Sequence, residues 1–441
     1  MIEKGDKKII NGWAMYDWAN SAYALVITST IFPIFFKNIT NLKNSYGDIV
    51  SENVQFFGFS VNNSVLYSYG ISLSFLIVVA MAPLLSGIAD YADNKKKFMQ
   101  FFCYLGSASC ASLFFFDPNY LELSMTFVVL ASIGFSGSLV FYNAFLPEIA
   151  EASQQDRVSA QGFAMGYIGS VLLLLFNLSM IMFPESYGIS DTWLPARISF
   201  LSVGIWWAGF AQIPFARLPN KSFNRKAEGH YLTSGYKELI KVFNDLKKNE
   251  RIKRYLLAFF VFNMGVQTIM YMAVTFGKDE IIDMPDSGLI LSILIIQIIA
   301  IGGAYFCSFV SAIFGNITTL SYILVVWLLV CILAYFTRNA IEFYLLAALV
   351  GFVMGGVQSL ARSTYSKILP DTLDHTSYFS FYDICEKLGI VFGTFIYGVI
   401  IAITDSSRNS IIALTILFVI ALILLRMVPE VKQKIQKLEV M

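Results

Sequence analysis

The chain has 441 residues, of which 57% are hydrophobic and only 14% are charged, and its formal net charge is +1. A soluble domain of this size carries roughly 25% charged residues, so most of this chain must be hidden from water, and a soluble globular protein is excluded. The small net charge indicates no nucleic-acid partner.

Motifs of enzyme active sites are absent from the sequence. The two histidines, His230 and His375, lie far apart, and there is no HExxH, GxSxG or P-loop pattern. The five cysteines lie in apolar segments and form no CxxC pair. We therefore expect no enzyme, no cofactor and no metal site, and the missing P-loop argues against direct drive by ATP.

Twelve apolar segments are each long enough to cross a membrane, which takes about 20 predominantly apolar residues. They predict an all-α membrane protein with twelve transmembrane helices, numbered here as spans one to twelve. The segments run over residues 9–36, 66–91, 98–116, 122–146, 158–183, 195–216, 255–276, 287–313, 317–336, 341–366, 378–403 and 408–428.

The basic residues predict how these spans are oriented. Most of the 31 lysines and arginines lie in the two tails and in the connections after spans two, four, six and ten, which share one side if the spans alternate. Loops rich in lysine and arginine stay in the cytoplasm. We expect a multi-pass protein of the cytoplasmic membrane with both termini in the cytoplasm.

The longest basic connection divides the chain into two sets of six spans. We expect an N-terminal six-helix bundle over residues 1–216, a cytoplasmic linker over 217–254, and a C-terminal six-helix bundle with a short cytoplasmic tail over 255–441. Two pseudo-symmetric six-helix bundles of this kind are a transporter architecture that places the solute site between the halves.

Polar residues form a stripe along span one. Trp13, Asp17, Asn20 and Ser21 recur at helical spacing, which predicts that they line a water-filled cavity. Ionisable groups inside a membrane are functional candidates by default. Asp17 is our candidate for proton coupling, and the alternative is a structural aspartate that is hydrogen-bonded to a neighbouring helix.

Two carboxylates, Asp90 and Asp93, close span two and precede a basic run over residues 95–97. A D-x-x-D pair can hold Mg²⁺ for a phosphate substrate, but no second acidic motif accompanies this one. We favour a gating contact in which Asp90 pairs with a helix N-terminus or a nearby cation.

The linker contains a candidate amphipathic helix. Apolar residues recur at helical spacing opposite three lysines. The apolar residues are Tyr236, Leu239, Ile240, Phe243 and Leu246, and the lysines are Lys237, Lys241 and Lys248. The pattern fits a helix on the inner leaflet of the membrane and equally a solvated linker helix.

Spans seven and ten carry further polar side chains. Asn263 and Gln267 lie one turn apart on span seven, where such residues serve either as cavity contacts or as packing contacts. On span ten, Gln358 and Ser359 can hydrogen-bond a solute. Arg362 follows them, and it can pair with a carboxylate of a neighbouring span, bind an anionic group of the substrate, or extend to the membrane surface.

Three ionisable residues lie together on span eleven. Asp383 and Lys387 are spaced i, i+4, and Glu386 lies beside Lys387. Such a group needs partners or water inside a membrane. It is either a charge relay or a cluster that anchors the helix end, and we assign it to a gating cluster together with Asp90 and Arg362.

The two halves share a short internal repeat. Span four ends in YNAFLPE (142–148) and span ten ends in YSKILPD (365–371), with tyrosine, leucine, proline and the acid in register. The match predicts duplicated halves of parallel topology. Chance similarity of one heptapeptide is the alternative.

Several of these motifs resemble those of a known family. GIADYADNKKK resembles the signature between spans two and three of the major facilitator superfamily, with Asn94 in place of its second glycine. YDWANSAYA (16–24), GGVQSLARSTYSKILP (355–370) and FYDICEKLGIVFGTFIYG (381–398) resemble the bacterial branch related to the autophagy-linked vacuolar amino-acid effluxers.

The resemblance implies a twelve-helix major-facilitator fold in the inner membrane of a bacterium and export of a solute, with amino acids as the substrate class of the eukaryotic relatives. The positions that match the family motifs are Asp17, Trp18, Asn20, Gln358, Ser359 and Arg362.

The features combine into one functional prediction. We expect a monomeric secondary transporter that moves a small solute, with amino acids as candidates, out of the cell by alternating access and with coupling to protons. One alternative is a non-transporting receptor or scaffold that retains the fold. The other is a membrane-embedded transferase, which would rest on Asp90 and Asp93 alone.

Overall fold

The computed structural model describes residues 4–46, 48–220, 231–404 and 406–429. Within them, twelve helices are long and apolar enough to cross a membrane, which confirms the predicted spans. In chain order they are Lys7–Thr40, Asn63–Ala92, Lys95–Phe115, Pro118–Ile149, Gln155–Met182, Leu194–Arg217, Glu250–Glu280, Ser287–Phe314, Asn316–Phe336, Ala340–Ile368, His375–Thr404 and Ser407–Arg426.

Short connections join most successive spans, so neighbouring spans run antiparallel and the connections collect at two ends of the bundle. We call the end that holds the connections after even-numbered spans the lower end. It contains Lys7, Arg217 and Arg426. The upper end holds the connections after odd-numbered spans.

The spans form two six-helix halves that repeat one packing scheme, as the sequence predicts. In the first half, span one packs on five, two on four, and three on six; in the second, seven packs on eleven, eight on ten, and nine on twelve. Each half has its own buried apolar core. Between the halves, span two packs on eleven and span five on eight, which is again a related pair.

Glycines allow spans eight and ten to approach backbone to backbone. A Cβ atom at Gly303 would overlap the carbonyl oxygen of Phe352, and one at Gly355 would overlap that of Ala300. Small residues at such positions let membrane helices pack closely, which is how most of the attraction between them arises.

Span one is not a regular helix throughout. Its middle, Tyr23–Thr30, is a π-helix between α-helical segments Lys7–Ala22 and Ile31–Thr40. The side chain of Thr30 donates to the carbonyl oxygen of Leu25, and Tyr67 of span two donates to that of Thr28 at 3.1 Å. Such π-helical segments often mark functional sites, and this one borders the cavity described below.

Two β-hairpins at the upper end follow span one, where the sequence analysis predicts no strand. Strand β1 (Leu42–Lys43) pairs with β2 (Ile49–Ser51), and β3 (Asn53–Phe56) pairs with β4 (Phe59–Asn62), both antiparallel. The second hairpin turns at Phe57 and Gly58, which both have positive φ, as tight hairpin turns require. The amide of Phe57 donates to Glu122 at 2.9 Å, so span four holds this hairpin.

The helix Tyr231–Lys248 lies across the lower end, within the predicted linker, of which residues 221–230 lie outside the described residues. It touches the first half where Gly235 meets Gly87 of span two, and the second where the Lys241 ammonium lies 2.9 Å from Asp374. The carboxylates of Glu238 and Asp374 raise the pKa of Lys241, so this lysine keeps its charge.

This linker helix buries only part of the predicted apolar stripe. Leu246 of the stripe and Val242, which lies outside it, are buried, whereas Tyr236, Ile240 and Phe243 remain exposed. The helix buries the side that carries Val242 because that side packs against both halves at the lower end. The amphipathic pattern alone does not decide which side is buried. Placement of the exposed side at the inner leaflet stays a prediction.

Two neighbouring glycines of span eight provide a matched test of this packing. We expect Gly303→Ala to destabilise the detergent-solubilised protein by about 1–3 kcal/mol, because the added methyl must separate spans eight and ten. Gly302→Ala should leave stability unchanged or slightly higher, because a Cβ at Gly302 meets nothing within 4 Å. Thermal unfolding of both variants checks this, and equal midpoints would contradict the packing.

Candidate functional site

A cavity of about 260 Å³ lies between the two halves. It begins at Asp17 and Arg362 near the middle of the bundle and reaches toward the upper end at Ser29 and Tyr271. Ligand pockets in proteins range upward from about 300 Å³, so this cavity suits a small solute. Its charged lining residues are Asp17, Arg362, Glu386 and Lys387.

The floor of the cavity is an ion pair between the halves. Nη1 of Arg362, on span ten, donates to Oδ2 of Asp17, on span one, at 3.2 Å. Both side chains are less than one-tenth exposed. Arg362 also donates to Asn143 at 3.3 Å and to the hydroxyl and carbonyl oxygens of Ser159, both at 2.9 Å. The guanidinium of one half is thus held almost entirely by the other half.

Aromatic side chains surround this pair. The hydroxyl of Tyr142 donates to Oδ2 of Asp17 at 2.7 Å, and the indole of Trp13 donates to the carbonyl oxygen of Tyr142 at 2.9 Å. The Trp13 and Tyr142 rings stack with centroids 4.4 Å apart. The guanidinium carbon of Arg362 lies 4.2 Å from the ring centroid of Phe163 and 4.8 Å from that of Trp13, so cation–π attraction adds to the ion pair.

A glycine makes room for the pair. A Cβ atom at Gly162 of span five would lie 2.5 Å from Oδ2 of Asp17, 2.9 Å from Nη2 of Arg362 and 3.1 Å from the Trp13 ring. Any larger residue would push the carboxylate and the guanidinium from their positions. Gly162 therefore belongs to the site although it carries no functional group.

The residues predicted to line the cavity divide into two groups. The cavity lining contains most of them, whereas Trp13 is fully buried beside Tyr142, and Ser359 donates to the carbonyl oxygens of its own helix. Trp18 packs against Trp206 of span six. The predicted residues that do line the cavity are Asp17, Asn20, Ser21, Asn263, Gln267 and Gln358.

Several of these polar residues tie the helices together around the cavity. Gln358 accepts a hydrogen bond of 2.6 Å from Tyr167 of span five, across the two halves. Asn263 of span seven donates to the carbonyl oxygen of Glu386 of span eleven at 3.0 Å. Other lining groups have no hydrogen-bond partner within the described residues, namely the amide nitrogen of Asn20, the hydroxyl of Ser136 and the amide oxygen of Gln297.

The charged residues of span eleven form a cluster beside the cavity. The Lys387 ammonium lies 3.2 Å from Oδ1 of Asp383 and 3.4 Å from Oε1 of Glu386. The approach to Asp383 lacks hydrogen-bond geometry, so neither of its carboxylate oxygens has a hydrogen-bond donor, although Asp383 is only 1% exposed. Glu386 and Lys387 line the cavity, and Asp383 lies behind them.

Asp90 closes the lower end at the start of span eleven. Its carboxylate accepts the backbone amides of Thr376 at 3.2 Å and Ser377 at 2.6 Å. These are amides of the first turn, where unpaired N–H groups and the helix dipole favour an anion. The end of span two in one half is thereby joined to span eleven in the other.

A second contact near Asp90 involves Glu148, at the end of span four. It forms an ion pair with Lys95 of span three and a hydrogen bond with His375 of span eleven, whose Nδ1 lies 2.9 Å from Oε1. Within the described residues, no group of three or more His, Cys, Asp and Glu residues is placed to hold a metal ion.

The other side of the lower end carries a related cluster centred on Asp156, in the first turn of span five. Its carboxylate accepts Ser311 at 2.8 Å and Asn316 at 2.8 Å, and the Lys367 ammonium lies 2.6 Å away. All three partners belong to the second half, so this cluster also joins the halves.

Sequence reasoning missed Tyr142, Gly162, Asp156 and Lys367 as members of the site. Two of them had a signal in the sequence, because Tyr142 begins one copy of the internal repeat and Lys367 lies in the other. The other two become visible only when the halves are brought together. Apart from the Tyr167–Gln358 hydrogen bond beside the cavity, the hydrogen bonds that join the two halves lie at the cavity floor or below it.

A family model described as "Vacuole effluxer Atg22 like" matches residues 5–438. The chain belongs to the Atg22-like family. The MFS-type transporter YxiO of Bacillus subtilis (strain 168) is 32% identical over 422 residues, which are 95% of this chain and 94% of YxiO. Autophagy-related protein 22 of Yarrowia lipolytica is 23% identical over 454 residues, which are 83% of this chain and 76% of that protein.

The chain has the same fold as a solved structure of FucP, a major facilitator superfamily transporter, in its outward conformation. The two match with a TM-score of 0.70 at 12% identity, over 96% of this chain and 98% of FucP. This Atg22-like chain is therefore a multi-pass membrane protein and a transporter of the major facilitator superfamily, as the sequence motifs predict.

A double-mutant cycle tests the ion pair at the cavity floor. We expect Asp17→Asn to destabilise the protein by about 3–5 kcal/mol, because it leaves the Arg362 charge buried without compensation. The double variant Asp17→Asn with Arg362→Gln should recover a large part of this loss, because no isolated charge remains. Unfolding in detergent measures the coupling energy, and strictly additive effects would contradict a direct buried pair.

Proposed function

We propose that this Atg22-like protein exports a small polar solute, with amino acids as the candidate class, across a bacterial cytoplasmic membrane by alternating access and with coupling to protons. The observation that carries the proposal is the cavity between the halves, which is sealed below by buried ionic contacts. A receptor or scaffold needs no such cavity, whereas a carrier needs a solute chamber with a closed side.

The contacts below the cavity are suited to open and close together. Asp17 with Arg362, Asp90 with the start of span eleven, and Asp156 with Lys367 each pair one half with the other. Tilting one half against the other would break them at the same time. Buried charges cost free energy when they lose their partners, so the lower mouth would open only when water or solute replaces those partners.

The chemistry of the cavity supports a small solute that bears both charges. Carboxylate and ammonium groups of Glu386 and Lys387 and the paired Asp17 and Arg362 lie on its wall. Its unpaired amide and hydroxyl groups offer further hydrogen bonds. A zwitterion such as an amino acid could engage charges of both signs without leaving an unpaired charge in the membrane.

The orientation follows from the basic residues. The lower end carries the lysine- and arginine-rich connections, which are expected in the cytoplasm. The described structure is then closed toward the cytoplasm, with its cavity extending toward the outside. We propose that a single chain is the transporting unit.

A solute screen tests this proposal. The purified protein is reconstituted into vesicles that are loaded with single amino acids, and their release is measured with and without an imposed proton gradient. We expect release of at least one amino acid, accelerated by protons on the side of the vesicle to which the cavity opens. Release of other small solutes only would contradict the substrate class, and no gradient effect would contradict proton coupling.

A further inference from the structure

A buried carboxylate, Asp383, lies beside the cavity and forms an ion pair with Lys387 at 3.2 Å. It is 1% exposed, and neither oxygen accepts a hydrogen bond. Asp17, by comparison, accepts from Tyr142 and Arg362. Since a carboxylate buried without donors is costly as an anion, Asp383 gains more from a proton than Asp17 does.

Net charge also favours a proton at the span-eleven cluster over one at the Asp17–Arg362 pair. Asp17 and Arg362 form a neutral pair. On span eleven, the charges of Asp383 and Glu386 face the single charge of Lys387, so the cluster carries one net negative charge when all three are ionised. One bound cation makes the cluster neutral, which a low-dielectric environment favours.

The helices around the cluster supply no further cation. Span two presents the ring of Phe75, 5.9 Å from the Lys387 ammonium, and has no lysine or arginine in Asn63–Ala92. Span four has none in Leu121–Asn143. Tyr271 of span seven, and Tyr382 and Cys385 on span eleven itself, are further titratable groups that interact with the cluster.

The ends of the neighbouring helices do not change this balance. The basic residues of span seven lie at its two ends, and those of span twelve, Arg408 and Arg426, also lie at helix ends. Lys241 of the linker helix pairs with Glu238 and Asp374. The guanidinium of Arg362 is held by Asp17 and Ser159. Among the described residues, the cluster therefore keeps its one unbalanced charge.

We propose that Asp383, with Lys387 and Glu386, is the site that binds the coupling proton, and that Asp17 serves as the switching partner of Arg362. This assignment rests on the proposed proton-coupled transport. A hydronium ion in the cavity water transfers its proton to a carboxylate oxygen of Asp383, where an O–H bond forms and a water molecule is left. The proton departs to water on the other side when the halves have changed position.

The cluster fits a proton better than a metal cation. A sodium ion needs several oxygen ligands, and the Lys387 ammonium already occupies the space between the two carboxylates. A proton binds to one oxygen and needs no such shell. Glu386, whose side chain is 23% exposed, lines the cavity and gives the proton a path to Asp383.

Span eleven connects this site to the lower seal. Its first turn binds Asp90 of span two, and Asn263 of span seven holds the backbone at Glu386. A change of charge at Asp383 therefore acts on the same helix that closes the lower end. Binding of a proton at Asp383 can therefore affect the contact between Asp90 and the start of span eleven, because both lie on the same helix.

The test measures stability against pH and needs no substrate. If folded Asp383 binds a proton more tightly than the unfolded chain does, stability rises as pH falls. We expect the thermal midpoint of the wild-type protein in detergent to rise from mildly alkaline to mildly acidic pH. Asp383→Asn should lose this rise, and at mildly alkaline pH it should match or exceed the wild type, because it removes the unbalanced charge.

Two control variants sharpen the result. Glu185→Gln, at an exposed site in the upper connection between spans five and six, should titrate like the wild type. Asp17→Asn should lower the midpoint but keep the pH-dependent rise. A retained rise in Asp383→Asn, a lower midpoint of that variant at every pH, or loss of the rise in Asp17→Asn would overturn the assignment.

Transport separates failure of this site from failure of the proposed function. With an amino acid that the vesicle screen shows to be released, Asp383→Asn should still exchange labelled for unlabelled amino acid but lose acceleration by the proton gradient. A stability rise that depends on sodium rather than pH would overturn the proton as ligand. If no amino acid is released at all, the pH profiles still decide whether Asp383 binds the proton.

Discussion

The buried pair between Asp17 and Arg362 is the interaction on which the closed arrangement depends. It joins span one to span ten at the floor of the cavity, where neither charge has free access to water. Separating the two would leave two charges in a low-dielectric interior, so the halves must stay together unless water or solute enters. Tyr142, Trp13 and Gly162 shape the space around the pair, which explains why aromatic groups and a glycine belong to an electrostatic site.

Below this pair, two ionic clusters occupy pseudo-symmetric positions with opposite placement of charge. In one, span four supplies the anion, Glu148, which pairs with Lys95 and contacts His375 of span eleven. In the other, span ten supplies the cation, Lys367, and span five supplies the anion, Asp156. Ile313 of span eight is the position equivalent to Asp90 in the internal repeat, so span eight lacks the acid that span two has. On that side, span five supplies the carboxylate instead, through Asp156. Each of the two contacts between the halves at the lower end therefore still contains a buried carboxylate.

The sequence predicts the fold well because long apolar segments and the distribution of basic residues are local signals. The twelve spans follow from these signals, whereas the family follows from the motifs of spans one, ten and eleven. Asp17 and Arg362 stand out because ionised groups are rare in such segments. The pairing of these two residues could not be predicted. They lie 345 positions apart in the sequence, and their contact depends on how the two halves pack together.

Other parts of the site escape sequence reasoning for the same physical reason. Gly162 looks like any small residue of a membrane helix until the groups opposite it are known. Trp13 shares the helical face of Asp17, but Tyr142 stacks on it and removes it from the cavity. The linker helix buries Val242 because it docks across the lower end, which an amphipathic pattern alone does not reveal.

The distance between the two halves at the lower end tests most directly whether the Asp17–Arg362 pair holds that end closed. Spin labels at two exposed positions, Lys97 in the first turn of span three and Leu373 just before span eleven, lie on different halves. We expect one short, narrow distance distribution in the otherwise wild-type protein in detergent. A second population at longer distance should appear once Arg362→Gln removes the pair at the cavity floor. A single unchanged distribution in both proteins would contradict the claim that the Asp17–Arg362 pair holds the lower end closed.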